Sequence, residues 1–146
     1  MSDPRTHIED ATAVDLKRER TQISTLIDQI LALAETHNYG NSSLFAIRLA
    51  IEEAITNAFE HGHEGLDPSL SIRVEYAVTP NQIQIAIEDQ GPGFSPDALP
   101  DPTLLENLSK PSGRGVMLMQ AYMSTVEFNP AGNRVKMCYC RPAESA

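Results

Sequence analysis

The hydrophobic period changes along the chain. In the first part, Leu16, Ile23, Leu26, Ile27, Ile30, Leu31, Leu33 and Ala34 recur at the spacing of a helix that buries one face. That predicts a helix from Val14 to about Thr36. His37-Asn38-Tyr39-Gly40 ends it, with Gly40 as the C-terminal cap. Asn41, Ser42 or Ser43 then caps a second helix running to about His61-Gly62. Beyond it the period falls to two. Leu70, Ile72, Val74, Tyr76 and Val78 alternate with polar residues, Thr79-Pro80-Asn81 turns the chain, and Ile83 to Glu88 returns antiparallel. A short helix over about Gly115 to Tyr122 follows. Two more strands, Thr125 to Phe128 and Arg134 to Cys140, are joined by Asn129-Pro130-Ala131-Gly132. Helices gathered on one face of a mostly antiparallel sheet make an α+β, two-layer sandwich. It is expected over residues 14–140, with 1–13 as an N-terminal tail or edge strand and 141–146 as a C-terminal tail.

One residue breaks the alternation. Ile83, Ile85, Ile87 and Asp89 share a face, and three isoleucines mark that face as the buried one. A carboxylate there must find a donor or carry a heavy desolvation cost. The chain then turns at Gln90-Gly91-Pro92-Gly93, where glycines let backbone approach something closely. Asp89 is either the floor of a pocket for a donor-bearing ligand or the cap of its own turn.

Two further groups carry chemistry. On the second helix, Glu53 and Asn57 lie one turn apart on one face. Leu44, Ile47, Ile51, Ile55 and Ala58 take the other side, while Ala46 and Ala50 leave room beside the polar pair. An amide oxygen suits Mg²⁺, and a carboxylate one turn away can orient a water or accept a proton. The same pair could also be simply solvated. Later, Ser112-Gly113-Arg114-Gly115 precedes the short helix, with Lys110 just upstream. Glycines at a helix start expose N–H groups to an anion, and the helix dipole helps. The Pro-, Ser- and Asp-rich residues 94–112 read as a functional loop or lid.

Composition narrows the classes. At 146 residues the chain is one domain with room for a real core. A net charge of −9 argues against nucleic acid as a partner. No apolar run approaches the roughly 20 residues of a membrane helix, and Met1-Ser2-Asp3-Pro4-Arg5 lacks a signal-peptide pattern. No membrane contact and a cytoplasmic location are expected. Cys138 and Cys140 are the only cysteines and point to one face of a strand. Two cysteines cannot complete a four-ligand zinc site alone. His61, His63 and Glu64 could help, but nothing in the spacing favours it, and reduced thiols are the expectation. His61, His63, Tyr39 and Tyr122 are assigned to helix ends and core.

In order, the chain presents an acid and amide on a helix, a buried acid with a glycine turn after a strand, and a glycine-rich helix start. These are the parts of an ATP site without a Walker loop. With these motifs the chain resembles the GHKL ATPases, the Bergerat-fold group that includes gyrase and the histidine kinases. Glu53-Ala-Ile-Thr-Asn57-Ala-Phe-Glu-His61-Gly62 resembles the N-box, Asp89-Gln-Gly91-Pro-Gly93-Phe94 the first glycine box, and Gly113-Arg-Gly115-Val-Met-Leu-Met the second. The compact size and the ending from Met123 to Met137 are similar to one branch, the anti-sigma-factor serine kinases.

The resemblance implies that Asp89 takes the adenine amino group, Asn57 ligates Mg²⁺ and Glu53 is the general base. It implies nucleotide and phosphate walls at Gly91, Gly93, Gly113, Arg114 and Gly115, with residues 95–112 as lid. It further implies phosphorylation of a serine on an anti-sigma antagonist, binding of a sigma factor, and a homodimer. The chain departs from the pattern in its last strand, where many members carry a Thr after the glycine. Here Gly132-Asn133-Arg134-Val135 stands instead, so Asn133 or a water would have to substitute. Two other readings remain beside the kinase: a non-catalytic module that holds ATP or ADP and sequesters a partner, and an interaction domain with a degenerate site.

Overall fold

The computed structural model describes residues 5–92 and 111–141, with the backbone alone over 111–116. Five strands form one antiparallel sheet: β1 (Thr12–Leu16), β2 (Ile72–Val78), β3 (Gln82–Glu88), β4 (Thr125–Phe128) and β5 (Arg134–Cys140). Their order across the sheet is β1-β2-β3-β5-β4. Three helices, α1 (Arg20–Thr36), α2 (Asn41–Asn57) and α3 (Pro111–Tyr122), complete the two-layer α+β fold, and a π-helical turn, Ala58–Gly62, extends α2.

Register explains why one sheet face is apolar. Val78, Tyr76 and Val74 stand opposite Ile83, Ile85 and Ile87. Those isoleucines stand opposite Tyr139, Met137 and Val135 in turn. The rows align because the side-chain period is two on every strand. Leu26, Ile27 and Ile30 of α1 and Ile47, Ile51 and Ile55 of α2 join them in one buried cluster. α2 packs on α1, α3 and β3.

The opposite face is polar, and the chain start crosses it. Arg134, buried at 6% exposure, donates from Nη2 to the Thr6 carbonyl at 2.7 Å and from Nη1 to Glu75 Oε2 at 2.7 Å. Lys136 donates to the His7 carbonyl at 3.1 Å. Thr6 and Ile8 are buried.

Three expectations from the pattern change. Val14–Leu16 is not helical; it is the end of edge strand β1, where Leu16 pairs with Ile72. Helical spacing and a short strand both allow an apolar residue at 14 and 16, and pairing with β2 decides it. Gly40 is not the cap of α1. Asn38 takes the left-handed conformation at φ 63°, and the Asn38 and Tyr39 N–H groups bond the Glu35 and Ala34 carbonyls in a Schellman pattern. Gly40 instead precedes α2, whose start has no side-chain cap. Finally, α3 begins at Pro111 rather than at Gly115. Proline is pre-set for the first helical position and lacks the N–H that would go unpaired there.

Candidate functional site

The site is built where α2 ends. Glu53 and Asn57 sit on its last two turns, each half-buried. Among the described residues, neither side chain is tied to a partner, which leaves both open to a ligand. On the same side, Ala50 is fully buried, so part of the room expected beside the pair is covered. The helix then widens by one residue per turn over Ala58–Gly62, closing with the His63 N–H on the Ala58 carbonyl at 3.0 Å. Such π turns re-aim the chain, often at functional sites. Here the turn brings Gly62 to the end of β3.

At that end stands Asp89, just past the last residue of the strand. Its N–H still bonds the Asn133 carbonyl of β5's approach, at 2.9 Å. Its carboxylate turns to the helical side and lies over Gly62. A Cβ on Gly62 would stand 2.3 Å from Asp89 Oδ2, and one on Gly91 would stand 1.9 Å from the Gly62 carbonyl oxygen. Both contacts are inside any tolerable separation. Gly91 is therefore required by the close approach of the Gly62 backbone, and Gly62 by the Asp89 side chain that lies over it. Oδ1 accepts the Gly91 N–H at 2.8 Å. Burial pushes the Asp89 carboxyl above its ordinary range, with Glu88 adding to it; the Gly91 N–H and His63 only partly offset this. A carboxylate kept in a partly dry site, with one oxygen used locally, is an acceptor awaiting a donor. Oδ1 caps the turn, and Oδ2 accepts no hydrogen bond among the described residues.

Two supports around Asp89 come from residues assigned no role in the pattern, or only a doubtful one. His63 is buried, meets the Phe59 ring edge-on, and accepts the Gln90 N–H on Nε2 at 2.9 Å, fixing the turn after Asp89. Nothing local in the sequence signals this, because the partner lies on another element. Asn133 does not reach the Asp89 carboxylate in place of the missing Thr. Its side chain is engaged by Asn129 at 2.9 Å and donates to the Asp89 main-chain oxygen at 3.4 Å. It braces the backbone that carries the acid. Asn129 holds this bend together, its Oδ1 accepting the N–H groups of Gly132, Asn133 and Arg134.

Gly113, Arg114 and Gly115 lie within the first turns of α3, not ahead of it. With Pro111 leading, the described N–H groups left unpaired at that helix start belong to Ser112 and Gly113. The free N–H groups at this helix start therefore precede Arg114 and Gly115 rather than belonging to them. Gly93, Lys110 and residues 95–110 of the expected lid lie outside the described residues, and its last two, Pro111 and Ser112, open α3. The donor set at the end of α2, a neutral amide oxygen with a carboxylate one turn away, fits a hard divalent cation such as Mg²⁺.

A sheet with helices on one face, an acid-and-amide helix end packed on a half-buried aspartate, and a glycine-bearing helix start define a class of nucleotide-binding domain. Residues 16–139 match the Histidine kinase-like ATPase domain family, and the chain belongs to it. Membership of an ATPase-domain family implies an adenine-nucleotide site. Within it, the chain is similar to proteins named Anti-sigma F factor. One from Clostridium perfringens (strain SM101 / Type A) is 30% identical over 119 residues, covering 79% of this chain and 78% of the relative. Another from Clostridium perfringens (strain 13 / Type A) is 31% identical over 112 residues, covering 74% and 73%. A third from Clostridium beijerinckii is 31% identical over 96 residues, covering 62% and 65%.

Proposed function

We propose that this protein is an ATP-dependent serine protein kinase of the anti-sigma-factor type. It transfers the ATP γ-phosphoryl group to a serine of an antagonist protein and, in another nucleotide state, holds a sigma factor, acting as a homodimer. The observation that carries the reading is the pairing of two sites across one helix end. Glu53 and Asn57 occupy the last two turns of α2, and the π turn that follows packs Gly62 on the Asp89 carboxylate. On this reading adenine and phosphates are addressed from one junction. The relatives named Anti-sigma F factor supply the partner class.

In this mechanism Asp89 accepts the adenine amino N–H, and Gly91 and Gly93 let the base lie against backbone. The α3 start, with Gly113, Arg114 and Gly115 and with Lys110 nearby, neutralises the phosphates. Asn57 would hold Mg²⁺, which would offset charge on the phosphate oxygens. Glu53 takes the proton of the serine hydroxyl as that oxygen attacks the γ-phosphorus and the bond to the bridging β–γ oxygen breaks, leaving ADP.

Calorimetric titration with ATP and ADP, with and without Mg²⁺, tests the nucleotide site. Asp89→Asn replaces an ionic acceptor by a neutral one, so affinity should fall about 10- to 100-fold, the value of a hydrogen bond to a charged group. Unchanged affinity sinks the assignment of Asp89 to adenine. Glu53→Ala should bind nucleotide normally and lose phosphoryl transfer to an antagonist protein by about 100-fold or more. Wild-type transfer in that variant removes Glu53 as base. Binding without transfer in the wild-type protein replaces the kinase by a module that only holds nucleotide and partner.

A further inference from the structure

Cys138 and Cys140 stand on the sheet face turned away from the helices. On β5 the intervening Met137 and Tyr139 belong to the core side, and the cysteines continue the row of Arg134 and Lys136. The two sulfurs are 3.8 Å apart, and both thiols are free. Cys138 is buried and Cys140 exposed, so an ion from solvent reaches the pair through Cys140.

The spacing is set by the sheet rather than by chance side-chain positions. Cys138 pairs with Gln84 on β3 and with Thr125 on β4. Cys140 pairs with Gln82, and its N–H donates to Ser124 Oγ at 2.8 Å. The Cys138 thiol is oriented by donation to Gln82 Oε1 at 3.1 Å. Strands on both sides therefore hold the backbone that carries the two sulfurs.

That separation distinguishes two chemistries. Thiolates bound to a tetrahedral zinc ion, each at about 2.3 Å, lie about 3.8 Å from one another. A disulfide needs about 2.05 Å and Cα atoms no more than about 6.8 Å apart. Residues two apart on a strand are about 6.6–6.8 Å apart, at the limit of that range. At 3.8 Å, where one thiol can hydrogen-bond the other, the sulfurs stand at the spacing of two ligands on one ion and well beyond that of a bond.

We propose that Cys138 and Cys140 form a two-thiolate site for a tetrahedral, thiophilic divalent ion of the Zn²⁺ or Cd²⁺ type, with the remaining positions filled by solvent or small-molecule donors. Among the described residues no group of three or more His, Cys, Asp and Glu side chains could complete a closed site. His63 lies at the other end of β3, against Gln90, and takes no part. Loading converts two thiols and one divalent ion into a neutral dithiolate and two released protons.

The site sits beside a junction between layers. Tyr139 shares a hydrogen bond with Ser43 at the start of α2, at 2.6 Å. Arg141 donates to the Pro80 and Asn38 carbonyls and lies over the Tyr39 ring. An ion clamped on β5 here stiffens the strand end that holds the α1–α2 turn. It should raise the melting temperature in proportion to the logarithm of free metal.

The test is titration of the freshly reduced full chain with Cd²⁺, read by the ultraviolet thiolate-to-metal charge-transfer band and by proton release. One ion per chain and two protons per ion are expected, with the band unchanged by a thousandfold excess of Mg²⁺, because thiolates select soft ions. Cys140→Ser, at an exposed position, should fold as the wild type by circular dichroism and lose the band at equimolar metal. Cys138→Ser should do the same. A band that survives in Cys140→Ser, that Mg²⁺ abolishes, or that never forms in the reduced wild-type protein overturns the proposal. These results are independent of nucleotide binding, which is read at the other end of the sheet.

Discussion

Asp89 shows how a functional residue can be costly to the fold that carries it. Its carboxyl is raised by burial, so the ionised form is disfavoured in the folded chain. The sign follows: ionising Asp89 subtracts stability above its raised folded value, and that loss is relieved as pH falls through it. Asp89→Asn keeps an oxygen for the Gly91 N–H and removes the buried charge. The variant should melt no lower than wild type at neutral pH while binding adenine nucleotide more weakly. A clear drop in melting temperature would show that the charge is structural instead. Gly62 gives the converse prediction. Gly62→Ala forces a methyl group onto Asp89 at 2.3 Å, with no flexible atom to yield except the recognition side chain itself. It should cost about 1–3 kcal/mol in denaturant unfolding and weaken nucleotide binding together. The exceptional position of Asp89 was readable from the isoleucine alternation. The supports at Gly62, His63 and Asn133 were not, because each acts on a residue 27 or more positions distant, or through backbone atoms that carry no sequence signal.

At the scale of elements, the strands were legible because each has one buried face, and burial enforces the period. β3 and β5 were placed to within a residue, and β2 to within two. Ends decided by backbone chemistry were harder. Gly40 is the obvious helix stop by composition, yet Asn38 holds the left-handed position two residues earlier, because Tyr39 must turn back to bury against the core. The Schellman cap makes this testable. Asn tolerates the left-handed region better than Ala, and a non-glycine residue there costs roughly 1–2 kcal/mol. Asn38→Ala should therefore lower unfolding stability by about 1 kcal/mol, and Asn38→Gly should leave it unchanged or raise it. Equal losses in both variants would mean that the Asn side chain, not the backbone, does the capping. Val14–Leu16 failed for a different reason. An edge strand is stabilised by its neighbour, and that neighbour, β2, lies more than fifty residues on.

At the scale of the whole molecule, the polar face of the sheet depends on the chain start. Arg134 is buried and carries its charge between Glu75 and the Thr6 carbonyl. Burial alone would raise the Glu75 carboxyl, but Arg134 and Arg73 outweigh it and hold it below its ordinary value of 4.5. A depressed carboxyl contributes stability that is complete above the unfolded value and is lost as pH falls through the folded one. The fold should therefore weaken below about pH 4.5, and Glu75→Gln should flatten that acid limb. Removing residues 1–8 tests the same network from the other side. The deletion strips the carbonyl from the Arg134 guanidinium, uncovers the area under Ile8, and leaves a charge less well paired on a buried face. Breaking a buried charge from one partner costs several kcal/mol when nothing replaces it; water can reach this site once the segment is gone, so about 1–3 kcal/mol is expected. The lost stability should appear in denaturant unfolding with nucleotide affinity unchanged, since Asp89 and α2 lie on the helical side of the sheet. A truncated chain that unfolds like the full one would show that the crossing segment is only laid on the sheet. One that loses nucleotide binding as well would show that the two faces are coupled through β5, whose Asn133 braces Asp89 and whose Arg134 holds the strap.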